Sequence, residues 1–205
     1  MTTYQEKLDK SLFNYIKAKD NLKILEFGVR QGESTKKFIE ICEKNNGHLY
    51  SVDINDCSNV SKSKYWTFLK SRDDNFDYLN SQIPQSFDYI FLDSFHNADH
   101  IEKIFYYYFR KLKVGGTFFI DDISWIPYVS DNYRNSFNCE MNNKETFNTL
   151  LSIYRSNSEN IEIYFSFIDS GLARVVKLND NKINLPKKIL SRSFSLKNII
   201  RKILT

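Results

Sequence analysis

Glycine, proline and cysteine are scarce, at 6, 3 and 3 of 205 residues. The cysteines (Cys42, Cys57 and Cys139) are odd in number and lack metal-ligand spacing, which fits a chain kept in a reducing cytoplasm. Long hydrophobic runs are missing as well: none approaches the about 20 residues needed to span a bilayer. The N-terminus is polar, with Leu8, Leu12, Phe13 and Ile16 at helical spacing, so it does not read as a signal peptide. No internal repeat and no recognised nucleic-acid module is visible, and nucleic acid is not an expected partner. With glycine this rare, its placement is informative, and two of the six, Gly28 and Gly32, fall in one turn.

What is present suffices for one full core. Apolar residues make up 41% of the chain and aromatics 16%, which suits a single domain. The net charge of +4 is uneven. Residues 182–205 hold seven of the 29 basic residues (Lys182, Lys187, Lys188, Arg192, Lys197, Arg201 and Lys202) and no acidic one, leaving 22 basic against 25 acidic in the body. The chain is therefore read as a domain at 1–180 followed by a basic amphipathic tail at 181–205.

The stretch from Lys23 to Ser34 organises the domain. An apolar run (Ile24, Leu25, Phe27) breaks at Gly28, Gly32 follows, and Ser34 precedes a helical pattern at Phe38, Ile39 and Ile41. Glycines at a strand–helix turn allow a sharp bend and the close approach of a ligand. The free N–H groups of the following helix point at whatever the turn holds. Further on, the patterns predict strands at 48–53, 65–69, 87–93 and 117–122. Helices are expected at 3–18, 34–45, 73–81, 98–112 and 144–156. Residues 123–142 read as irregular. A late hairpin at 161–167 and 172–177 turns at Asp169-Ser170-Gly171. Alternation closed by a hairpin implies an α/β parallel sheet with one antiparallel member.

Three features recur together: Glu26 two residues before Gly28, three residues between Gly28 and Gly32, and Asp53 ending the second strand. They resemble the first motif of class I S-adenosylmethionine-dependent methyltransferases, Glu/Asp-x-Gly-x-x-x-Gly. The resemblance implies a Rossmann-like, doubly wound seven-stranded sheet of order 3-2-1-4-5-7-6, its last strand antiparallel, with helices on both faces. It implies S-adenosylmethionine as cofactor. Glu26 would face its amino-acid part, and the backbone of Phe27 and Gly28 would pass beside the methionine portion. Gly32 and Ser34 would complete the turn, Asp53 would take the ribose hydroxyls, and Asp73 would lie near the adenine. Asp93, ending strand four, would close the site. The dinucleotide fingerprint Gly-x-Gly-x-x-Gly is not met, because no third glycine opens the helix. An NAD-dependent oxidoreductase is the alternative enzyme. A non-catalytic cofactor-binding or membrane-associated module is the alternative outside enzymes.

Strand four ends in Asp93-Ser94-Phe95-His96 and strand five in Asp121-Asp122. In this strand order the two ends are adjacent, so three carboxylates converge and need a compensating cation. Oxygen ligands suit Mg²⁺, which can polarise a hydroxyl. The pattern is similar to that of metal-dependent O-methyltransferases of the catechol type, which implies Asp93, Asp121 and Asp122 as metal ligands. Those enzymes carry a lysine three residues after the first Asp; here the position is His96. That departure resembles relatives with an Asp-x-x-His motif, many of which act on sugars or natural-product hydroxyls. His96 and Asp93 are the catalytic candidates. An imidazole suits proton removal near neutral pH, while metal ligation or helix capping are the other readings of His96. Residues 123–142, with Trp125, Pro127, Tyr128, Tyr133, Arg134, Phe137 and Glu140, are the expected lid over a small-molecule or glycan acceptor. No Asn/Asp-Pro-Pro-Tyr motif speaks for N-methylation. The tail, with Ile189, Leu196, Ile199, Ile200, Ile203 and Leu204 near helical spacing, suits an anionic membrane, a partner, or a helix docked on its own subunit or on a neighbouring one in a homo-oligomer.

Overall fold

The structure, a computed structural model, describes residues 3–126, 136–189 and 195–204. Seven strands form one sheet: β1 (Lys23–Phe27), β2 (His48–Asp53), β3 (Trp66–Lys70), β4 (Phe87–Leu92), β5 (Leu112–Asp121), β6 (Ile161–Ser166) and β7 (Leu172–Lys177). Their order is β3-β2-β1-β4-β5-β7-β6. The pairs β1–β2, β2–β3, β1–β4 and β4–β5 are parallel, and β7 runs antiparallel to both β5 and β6. This is the strand order expected from the sequence. Strands β1, β2 and β7 also have the expected bounds, because each is an apolar run cut off by glycine or aspartate.

The period-two alternation of β1 sends Ile24 to one face and Leu25 and Phe27 to the other. Each face is covered by helices. Leu8 and Leu12 from α1 (Thr3–Ser11) and its exit, with Phe38, Ile39 and Cys42 from α2 (Glu33–Lys44), pack on the Ile24 side. The other side holds Leu79 of α3 (Phe76–Gln82) and Ile101, Ile104, Phe105 and Tyr108 of α4 (Ala98–Phe109). Leu150 and Ile153 of α5 (Phe137–Asn157) complete it. Every residue of β4 is buried, as a central strand covered on both faces requires.

Several expectations are corrected. The N-terminal helix stops at Ser11 and gives way to a 3-10 turn at Phe13–Tyr15. Strand β5 begins at Leu112 rather than 117; its register against β4 shifts between Phe87 and Tyr89, so Gly115 and Gly116 lie inside the strand. Helix α5 begins at Phe137, not 144, because Ser136 accepts a hydrogen bond from the Cys139 N–H and caps it. The domain does not end at 180. Asn184 N donates to Asn157 Oδ1 (2.6 Å), Tyr106 OH donates to the Asn184 carbonyl (2.6 Å), and Ile183 packs on the core, so this stretch is bound to α4 and α5. Helix α6 (Leu196–Leu204) follows.

Candidate active site

The order 3-2-1-4-5 reverses between β1 and β4, and that is where an open α/β sheet offers a crevice for a ligand. Gly28 and Asp93 meet there. Gly28 has φ +94°, and a Cβ on it would sit 1.9 Å from the Asp93 carbonyl oxygen. The glycine is thus required by the close approach of the two strand ends as well as by the turn. Asp93 N donates to the Phe27 carbonyl (2.8 Å) and Gly28 N to the Val52 carbonyl (2.9 Å), fixing the three strand ends together. Gly32, at φ +79°, precedes α2 with Val60 against it.

Glu26 lies beneath this turn and is fully buried. Its carboxylate accepts from Ser34 Oγ (2.5 Å), Thr35 Oγ1 (2.8 Å) and Ser51 Oγ (2.6 Å). Burial pushes its pKa up to about 7, against the opposing pull of those hydroxyls. The expectation that Glu26 and Ser34 face a cofactor is corrected: both side chains are turned into the protein and tie α2 to β1 and β2. The Phe27 ring is likewise inside, 4.6 Å from the Tyr108 ring, and only its backbone borders the crevice.

Asp53 is half-exposed at the end of β2. Oδ2 accepts the N–H groups of Val29 (2.9 Å) and Arg30 (3.1 Å), and Oδ1 that of Asn55 (2.9 Å). Burial raises its pKa, but these backbone donors outweigh burial and the net shift is downward. The Cys57 thiol is a further hydrogen-bonding neighbour of this carboxylate. The neighbouring Ile54 is 64% exposed, and Phe95 on the β4–α4 loop is 65% exposed. Asp73 is not available in the same way. It accepts from Ser94 Oγ (2.5 Å) and lies 2.9 Å from His100 Nε2, so it joins the β3–α3 loop to the β4–α4 loop.

On the other side of the crevice, His96 stands between two carboxylates. Its Nε2 is 3.5 Å from Asp93 Oδ1 and its Nδ1 is 3.4 Å from Asp122 Oδ2. Asp122 has φ +59°, a conformation that turns the chain out of β5. Asp121 points the other way. Both of its oxygens accept from Lys7 Nζ (2.5 and 2.7 Å), and Lys7, completely buried, also donates to Ser170 Oγ (2.8 Å). Burial pushes the Asp121 carboxyl up and Lys7 opposes it. Tyr4, one turn before Lys7, donates from its hydroxyl to Asp93 Oδ2 (3.0 Å), and its phenol is raised chiefly by burial and then by the Asp93 charge.

The three aspartates are therefore not assembled as a metal site. Asp121 is paired with Lys7, and only Asp93 and Asp122 lie beside His96, so the three aspartates do not converge on one point. Among the described residues no group of three or more His, Cys, Asp or Glu side chains fits a metal ion. The expectation that the carboxylates need a cation holds, but the cation is an ammonium from α1. Sequence reasoning missed Lys7 and Tyr4. The signal was a lysine and a tyrosine on the buried stripe of α1 (Tyr4, Lys7, Leu8, Ser11), where a surface helix places apolar residues.

Only part of the expected lid lies within the described residues. Pro127, Tyr128, Tyr133 and Arg134 lie outside the described residues. The Trp125 ring packs on Phe147 (4.2 Å) and Phe167 (5.8 Å), against α5 and the β6–β7 side, not toward His96. Phe137 and Glu140 are exposed in the first turn of α5.

Strand order, the glycine turn and the switch-point crevice define the Rossmann-like fold of class I methyltransferases. Residues 25–123 match the model of a family described as a methyltransferase domain. Among solved structures, the MycE methyltransferase from the mycinamycin biosynthetic pathway, in complex with Mg, SAH and mycinamycin VI, is similar at TM-score 0.58 and 18% identity, over 89% of this chain and 51% of its own. An SAH-bound methyltransferase of Podospora anserina is similar at TM-score 0.60 and 13% identity, over 77% and 72%. A putative caffeoyl-CoA O-methyltransferase from Staphylococcus aureus gives TM-score 0.57 and 21% identity, over 76% of each chain. These likenesses establish the fold. The chain spans about half the length of MycE. No curated protein matches it in sequence.

Proposed function

We propose that the chain is an S-adenosylmethionine-dependent methyltransferase that methylates a hydroxyl of a small molecule or glycan. The observation that carries the reading is His96 held between Asp93 and Asp122 at the switch point, across the crevice from the glycine turn. The matched methyltransferase domain and the SAH-bound structural relatives support the choice of cofactor.

The residues fit that cofactor by their chemistry. Asp53, partly exposed at the end of β2, offers its carboxylate to ribose hydroxyls, and the exposed Ile54 and Phe95 offer apolar surface for a flat base. Glu26 contributes indirectly, by bracing the turn. S-adenosylmethionine, when bound, supplies an electrophilic methyl carbon on a sulfonium. His96 takes the proton of the acceptor hydroxyl at one ring nitrogen, while the carboxylate facing the other nitrogen orients the ring and balances the imidazolium. Tyr4 holds Asp93 in place through its hydroxyl, and Lys7 keeps Asp121 from adding a third uncompensated charge. Methyl transfer to oxygen is an in-line displacement, so most of the rate comes from positioning the hydroxyl. No step is routed through Mg²⁺, since Asp121 is paired with Lys7 and the three aspartates do not converge.

Incubation with S-adenosylmethionine and a panel of hydroxylated sugars and phenols, read as S-adenosylhomocysteine release, tests the reading. His96→Ala is expected to lower turnover about 10²–10⁴-fold with cofactor affinity kept. Unchanged turnover would return His96 to a packing role.

A further inference from the structure

The segment after β7 separates into two kinds of chain. Its backbone stays bonded to the body as far as Ile189, where the Lys187 N–H donates to Ser156 Oγ (3.0 Å) and the Ile189 N–H to Ser152 Oγ (3.3 Å), but from Leu185 onward its apolar side chains face outward. Leu185 is 75% exposed and Ile189 is exposed, with Lys187 and Lys188 exposed beside them. In α6, Leu196, Ile200 and Ile203 are 78%, 55% and 77% exposed. Their spacing of four and three residues puts them on one face of the helix. Lys197 and Arg201, also exposed and four residues apart, border that face. Large aliphatic side chains left in water forfeit the free energy of their burial, so a surface of this composition fits something that covers it.

We propose that α6, together with Leu185–Ile189, is a peripheral docking surface for an anionic lipid bilayer. Two observations choose the bilayer. The apolar face lies beside cations, and residues 182–205 contain seven basic residues and no acid, so the surface suits apolar chains beneath anionic headgroups. A second copy of this chain meets the apolar requirement but not the electrostatic one. A two-fold contact of α6 on α6 would set one acid-free cationic segment against another. No helix among the described residues is long and apolar enough to cross a membrane, so the contact is with the surface. The proposal is independent of the methyl-transfer reading.

The test is co-sedimentation of the full chain with vesicles of equimolar phosphatidylglycerol and phosphatidylcholine, against vesicles of phosphatidylcholine alone. Binding to the anionic vesicles is expected to be at least about tenfold stronger and to weaken as salt rises. Ile200→Asp/Ile203→Asp is expected to abolish it, and Lys197→Glu to weaken it about fivefold or more. Thermal unfolding of both variants should match wild type, since these side chains lie on the surface. Three outcomes would overturn the proposal: no preference for anionic vesicles, full binding by the double aspartate variant, or a lipid-free oligomer that the same variant disperses.

Discussion

Two aspartates mark the two ends of β4, and their surroundings differ. Asp88, near the start, accepts from Lys19 Nζ (2.7 Å), Lys113 Nζ (2.9 Å) and the Lys23 N–H (3.0 Å). Burial raises its pKa, but these donors prevail and hold it below the ordinary value. Asp93, just past the other end, has one phenol hydroxyl at 3.0 Å and an imidazole at 3.5 Å. The same side chain on the same strand is saturated by cations where it serves the fold. It is left with acceptor capacity where the sheet opens. The C-terminal edge repeats the contrast: Asp121 is consumed by a buried ammonium, while Asp122 and Asp93 face His96. The difference separates carboxylates that hold the molecule together from those that can meet a substrate.

The contrast can be broken in stages. Removing Lys7 has the largest expected effect on stability. Lys7→Met leaves Asp121 charged and unpaired in the interior, which costs about 3–5 kcal/mol; urea unfolding measures it. A loss below about 1 kcal/mol would mean that Asp121 finds another donor. Glu26 comes next, through pH. Its folded pKa is raised to about 7 by burial, above the about 4.3 of an unfolded glutamate. The folded state therefore holds the proton more tightly. The resulting stability, about 3 kcal/mol, is complete below pH about 4.3 and is lost as pH rises through 7. Glu26→Gln should remove that slope from the stability–pH profile, and an unaltered slope would assign it to another group. Lys19→Ala is the smallest change. Lys19 is largely exposed and Asp88 keeps Lys113, so a loss of at most about 1 kcal/mol is expected. A loss as large as that of Lys7→Met would erase the distinction between the two ends.

What was legible in the sequence follows the same division. The strands of the parallel sheet are short and largely apolar, and the glycine turn stands out because glycine is rare, so the fold could be read locally. The position of Asp53 at the end of β2 could be read because a strand end is a local signal. The partners of Glu26, Asp73 and Asp121 could not, because they come from far along the chain. Lys7 and Asp121 are 114 residues apart, and Asp73 and His100 are 27 apart. A lysine in a short amphipathic helix reads as solvated, and only packing of α1 against the ends of β5 and β7 turns it inward. The start of α5 was missed for a different reason. Its first turns are polar, so no apolar period announces them, and only the Ser136 cap marks the boundary.

Isothermal titration with S-adenosylhomocysteine tests the central claim, that the open end of the sheet at the β1–β4 switch point is a methyl-donor site. Wild type and Asp88→Asn should bind alike. Asp53→Ala should bind about 10–100-fold more weakly, the loss expected for a charge-assisted hydrogen bond to a ribose hydroxyl. Absence of binding by the wild type, or equal affinity for wild type and Asp53→Ala, would contradict the account.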